Sequence, residues 1–223
     1  MAVDPRYTDP TILLQLHEQE LAIRQYVQQL SGTAAQRNRQ LQQEGIFARY
    51  RHIHASYVAL GRYHRSRELR NEALKRALFL SWYAEVEPAP FTGLADLEED
   101  RITEACYRLN TLVEKGWLAP ELIWMLQHYA RWEWIMLQYT ENKFGPVTHW
   151  LKAQDPEHNP LPRASLPPGS MEGRGLMGLY FQQLGVEQPA PDRAASAPDL
   201  QQRARLVEQI MAEDAPLLKR LGR

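Results

Sequence analysis

The chain has 223 residues, 44% of them hydrophobic and 24% charged, enough apolar material for a sizeable core without disulfide or metal support. A formal net charge of −1 singles out neither nucleic acid nor a membrane surface as partner. Cys106 is the only cysteine, which excludes an intramolecular disulfide and a cysteine-based zinc site.

The first residues, Met1-Ala-Val-Asp-Pro-Arg-Tyr, carry no charged leader followed by an apolar run, so a cytoplasmic location is expected. A helix is expected from Asp9, with Pro10 in the first turn, where a missing N–H does no harm. Ile12, Leu16, Ile23, Val27 and Leu30 then recur at the spacing of one buried face. Gly32 suits a stop, and Thr33 with Gln36 forms a capping box for the next helix.

No proline interrupts the stretch from Ile46 to Glu87. A break near Gly61–Ser66 divides it into two helices of ordinary length. Tyr50, Ile53 and Tyr57 face inward on the first, and Leu74, Leu78 and Trp82 on the second. Pro88 and Pro90 end that run, and Asp96 is expected to cap a helix that carries Ile102, Cys106 and Leu109 inward as far as Gly116. A single helix over 120–141 follows, apolar on nearly every side, which places it centrally or at an interface.

After Trp150 the prolines at 156, 160, 162, 167 and 168 read as an extended connector. A short helix over about 171–184 follows, then a Pro/Ala segment over 188–198 and a last amphipathic helix opening at Ser196 and Asp199. No segment alternates with period 2 between hairpin turns, and none approaches the ~20 apolar residues that span a bilayer. The expected fold is all-α. It is an irregular multi-helix bundle of about five to six main helices over 1–150, with an extended C-terminal arm, 151–223. The arm carries two short helices that dock on the bundle or on a neighbouring subunit.

Charge is segregated along the chain. Residues 37–76 hold ten Arg/Lys against three Glu, whereas 85–104 hold seven Asp/Glu against Arg101. Mutual pairing of the two stretches is the plain reading, at roughly a few tenths of a kcal/mol per exposed pair. The functional reading is a phosphate or nucleic-acid surface built from Arg49, Arg51, Arg62, Arg65, Arg67 and Arg70, with Tyr50 and Tyr63 interleaved.

Within that block, Arg49-Tyr-Arg-His-Ile-His54 resembles the arginine–histidine arrangement of the all-helical HEPN ribonucleases. The resemblance covers six residues and implies Arg49 as phosphate stabiliser and His54 as proton carrier near neutral pH. Tyr50 stands where that pattern carries a polar residue, and a solvated helix face accounts for the same residues.

Other motifs lack their context. His52 and His54 point in different directions on a helix, so no metal site is expected. Asp96-Leu-Glu-Glu-Asp100 is similar to the magnesium motif of helical isoprenoid synthases, but no second acidic cluster faces it. Gly173-Arg-Gly175-Leu-Met-Gly178 fits the dinucleotide-binding spacing with no strand before it, so no cofactor is expected.

Trp117, Trp124, Trp132, Trp134 and Trp150 crowd into 117–150. They form a dense core, or else Trp124, His128, Arg131 and Trp134 form a docking surface, since Trp and Arg are enriched at hot spots. The leading expectation is a soluble, non-enzymatic interaction or scaffold protein, a homo-oligomer and foremost a dimer. The alternative is an RNA- or phosphate-binding protein, or a HEPN-like ribonuclease, that uses 37–76.

Overall fold

A computed structural model describes residues 9, 11–154 and 166–185. These residues form an all-α fold of ten α-helices and one 3-10 turn, without a strand among them. No helix among them is long and apolar enough to cross a membrane. The expected last helix, from 199 onward, lies outside the described residues, as do the segments 155–165 and 186–198.

Helix α1 (Ile12–Gln29) turns Leu13, Leu16, Ile23 and Val27 inward. It starts three residues later than expected because Asp9 is spent on the approach. Its Oδ1 accepts both the Thr11 N–H, at 2.8 Å, and the Thr11 hydroxyl, at 2.7 Å. Helix α2 (Ala34–Gln43) opens on the expected capping box, in which Gln36 N–H reaches the Thr33 hydroxyl and Gln36 Oε1 accepts the Thr33 N–H.

Helices α3 (Ile46–Tyr63) and α4 (Arg67–Val86) form an antiparallel pair, broken where the sequence suggested. Ser66 caps α4 by accepting the Leu69 N–H, and Arg70 Nη1 donates to the carbonyls of His64 and Arg65, at 2.7 and 2.9 Å. The corner therefore has its orphan groups satisfied from within. Gly61 faces the α4 backbone there with room for a side-chain carbon. A Cβ at that position would sit 3.7 Å from the Arg70 carbonyl.

Short α5 (Ala89–Thr92) leads to α6 (Glu99–Glu114). Asp96 does not cap α6. Its φ of 54° places it in the left-handed region that short polar residues tolerate, and the helix begins at Glu99 with Glu98 before it.

The expected 120–141 helix is two helices. Helix α7 (Pro120–Tyr129) passes through a 3-10 turn, Ala130–Trp132, into α8 (Glu133–Thr140). The bend lets Trp132 fold inward, its ring 5.5 Å from Trp82 and 5.7 Å from His128. Burying that aromatic surface offsets the helical hydrogen bonds lost at the turn. Helix α9 (Gly145–Lys152) is held at its start by Val147 N–H on Asn110 Oδ1, 3.1 Å.

Helix α10 (Gly175–Gln183) completes the core from the far end of the chain. Met171, Leu176, Met177 and Phe181 are buried, so this part of the arm docks on its own bundle. Trp82 lies at the centre, stacked on Tyr129 at 4.8 Å and edge-on to Tyr180 at 5.5 Å.

Polar groups seat α10 as firmly as apolar ones. Arg174 pairs with Glu72 and Glu121, and Lys75 Nζ reaches Glu121 at 2.6 Å. Glu20 accepts the Tyr57 hydroxyl at 2.6 Å and the Leu176 N–H at 2.5 Å, while His17 Nδ1 accepts the Gly175 N–H at 2.8 Å. A carboxyl group and an imidazole from α1 thus each take one of the amides that the start of α10 leaves free. Burial pushes the Glu72 carboxyl up, but the hydrogen bonds and charge of Arg174, with Arg76 and Lys75 behind, outweigh it and hold the group near about 2.

Candidate anion-binding cleft

The residues of the ribonuclease-like pattern do not meet. Arg49 is exposed and borders a groove between α1 and α3 beside His52. His54 lies on another side of α3, 1% exposed, with Nε2 3.0 Å from the Ser81 hydroxyl. That hydroxyl donates to the Ala77 carbonyl at 2.9 Å, so it accepts from His54, which is the neutral Nε2–H form. Burial pushes the imidazole down to about 4. A neutral core histidine with no solvent path has no proton to give a substrate held by Arg49.

The tryptophan face divides in the same way. Trp124 and His128 are buried under α10, with Trp124 4.8 Å from Phe181 and His128 Nε2 2.9 Å from the Tyr180 hydroxyl. Arg131 and Trp134 remain outside, Trp134 57% exposed.

The basic block divides as well. Arg51 lies 3.9 Å from Asp96 and Arg62 2.8 Å from Glu104, so pairing between the basic and acidic stretches occurs at both. Lys75 and Arg76 are buried in the network around Glu72. Tyr50 is wholly buried, while Tyr63 stays at the surface beneath the Arg62 guanidinium, at 4.9 Å. Arg65 is exposed, and its carbonyl accepts from Arg70.

Arg62, Arg67 and Arg70 are brought together. They line one cleft of about 540 Å³ between the end of α3, the first turns of α4, and α6. A fourth arginine, Arg108, joins them from α6. Val58, Leu74, Ala105 and Leu112 form the apolar floor, and Tyr107 and Trp117 stand at the rim, 63% and 54% exposed.

The electrostatics of the cleft are one-sided. Among the described residues four guanidinium groups face a single carboxylate, Glu104, which is already shared by Arg62 and Arg101, at 2.8 and 3.1 Å. Among the described residues Arg108 makes no hydrogen bond or ion pair, and its Nε is buried without a partner. Burial first, and then the positive charge of Arg70, lower its hold on its proton. Like charges set side by side without a counter-ion cost energy that a bound anion removes.

Two of these residues were hidden in the sequence for different reasons. Arg108 follows the acidic start of α6, and nothing local says that it faces α4. Trp117 falls within the tryptophan-rich 117–150 stretch, yet it carries a local sign of exposure. Gly116 takes φ +64° and Trp117 N–H bonds back to the Leu112 carbonyl at 2.9 Å, a glycine helix stop that throws the next side chain outward.

The chain matches no protein-family model, no curated protein and no solved structure.

Proposed function

We propose that this protein is a non-enzymatic binding protein whose cleft between α3, α4 and α6 takes an anionic ligand of the phosphate class. The observation that carries the reading is the convergence of Arg62, Arg67, Arg70 and Arg108 on one open cavity, with Arg108 free of any described counter-charge. Guanidinium groups suit phosphate because their planar donors match its oxygens in pairs. Among the described residues that line the cleft, the one carboxylate, Glu104, is tied to two arginines, which leaves the remaining guanidinium groups to the ligand.

Titration calorimetry with inorganic pyrophosphate at low ionic strength tests this. The native chain should bind, with affinity falling as salt rises. Arg108→Gln and Arg67→Glu should each weaken binding by at least about tenfold, roughly 1.4 kcal/mol. Absence of binding at low salt, or equal affinity in the variants, sinks the proposal.

A second reading, self-association, rests on Trp134 and Arg131, exposed at the bend between α7 and α8. Trp134→Ser should then lower the mass seen by sedimentation equilibrium; a native chain that sediments as a monomer at high concentration rules it out.

A further inference from the structure

We infer that the ligand of this cleft is a nucleoside phosphate, its phosphate held by Arg67, Arg70 and Arg108 and its base laid against Trp117. The inference rests on the anion-binding reading and adds the other half of the ligand.

The cleft has more than a phosphate needs. An inorganic anion would use the arginines and leave the floor of Val58, Leu74, Ala105 and Leu112 wet. The volume, about 540 Å³, falls within the roughly 300–1,000 Å³ of pockets that enclose a small organic molecule. A ligand with an anionic end and a planar, weakly polar end fills both halves.

The rim supplies the surface for that planar end. Large exposed apolar side chains among the described residues are Leu14, Tyr63, Tyr107, Trp117 and Trp134. Tyr107 and Trp117 line this cleft, and Tyr63 sits beside it under Arg62. Their clustering here, beside cations, is the pairing of stacking ring and phosphate donor that single nucleotides require. Arg67 lies 6.0 Å from the Trp117 ring and Lys115 Nζ 4.7 Å from it, so cations for a phosphate and a ring for a base are within one ligand's length.

Two polar groups are left for the edge of the base or for the ribose. The Asn71 amide lines the cleft with no described hydrogen bond, and it offers both a donor and an acceptor. The Thr111 hydroxyl donates to the Tyr107 carbonyl at 3.1 Å and keeps lone pairs to accept with.

A free nucleotide and a nucleotide within a single strand present the same chemistry. The test uses adenosine 5′-monophosphate, ribose 5-phosphate and a 5′-phosphorylated oligoadenylate decamer. Binding is read by calorimetry and by quenching of tryptophan emission, on the full chain. Adenosine 5′-monophosphate should bind at least about tenfold more tightly than ribose 5-phosphate. Trp117→Leu should erase that difference while leaving ribose 5-phosphate unchanged, and Arg108→Gln should weaken both. Trp117 is half exposed, so its replacement leaves the core intact.

Equal affinity for the two monophosphates overturns the nucleoside inference and leaves the anion site standing. If neither binds at low salt, both readings fall. A decamer that binds far more tightly than the mononucleotide supports the strand as source, and one that binds no more tightly supports the free nucleotide. A gain for the base that survives Trp117→Leu removes the stacking assignment.

Discussion

His128 Nε2 lies 2.9 Å from the Tyr180 hydroxyl, and this bond ties α7 to α10 inside the aromatic core. The two side chains come from the bundle and from the arm, and each is packed against Trp82. The arm helix is therefore part of the core rather than a cover over a finished one. The stability of the whole should follow the state of this junction.

Acid should weaken the fold before the surface carboxylates titrate. Burial pushes both His54 and His128 down to about 4, whereas the unfolded chain takes up these protons near the ordinary 6.5. Between those values the unfolded state binds more protons, so stability is greatest above about pH 6.5 and falls as pH drops towards 4. The loss approaches about 3 kcal/mol per histidine at the lower end. Urea midpoints at pH 7 and pH 5 check it. His54→Gln with His128→Gln should flatten the pH dependence, and an unchanged slope contradicts the assignment.

Arg174→Met should loosen α10. It leaves Glu72 and Glu121, with side chains only 18% and 27% exposed, to Lys75 and Arg76 alone. Removing one member of a buried charge network costs about 3–5 kcal/mol. Denaturant unfolding should show a loss of that order. Hydrogen exchange should show the Leu176–Phe181 amides opening first; uniform exchange across all helices argues against a local latch.

Two glycines should answer oppositely to alanine. Gly178 packs against the Met171 carbonyl so closely that a Cβ would collide with backbone, and Gly178→Ala should destabilise by about 2 kcal/mol or more. Gly61 is also helical, but a Cβ there meets its nearest atoms at an ordinary 3.7 Å. Gly61→Ala should therefore stabilise by about 0.5–1 kcal/mol through the unfolded state. Thermal unfolding of the pair separates the two effects.

Cys106 should resist thiol reagents in the folded protein. It is wholly buried on α6, and burial pushes its thiol up to about 12. Aromatic disulfide labelling should therefore proceed at the rate of unfolding and accelerate only in denaturant. Fast labelling under native conditions contradicts the burial.

Much of the helical order was legible because helix starts and stops are local. Thr33–Gln36, Ser66 and Gly116 act within four residues of themselves, and the core faces of α1 and α3 follow from spacing alone. Local signs failed where packing outweighed them. Asp96 has the chemistry of a cap but takes a left-handed turn, and Trp132 bends 120–141 in order to reach Trp82.

Arg62, Arg67 and Arg70 could be named from the basic run, as could Arg49, Arg51 and Arg65. Nothing within the run distinguishes the first three from the rest. That distinction depends on where α6 lies, because Glu104 and Arg108 come from there and decide which arginines are paired and which face an open cavity. The sequence by itself determined an all-α chain, the main helix breaks and a basic stretch rich in aromatics. Only the tertiary structure decided that His54 and His128 are core groups, that α10 closes the core, and that four arginines share one cleft. Helix formation and capping depend on neighbours a turn away, whereas a side chain's burial and partners depend on residues that folding brings from elsewhere in the chain.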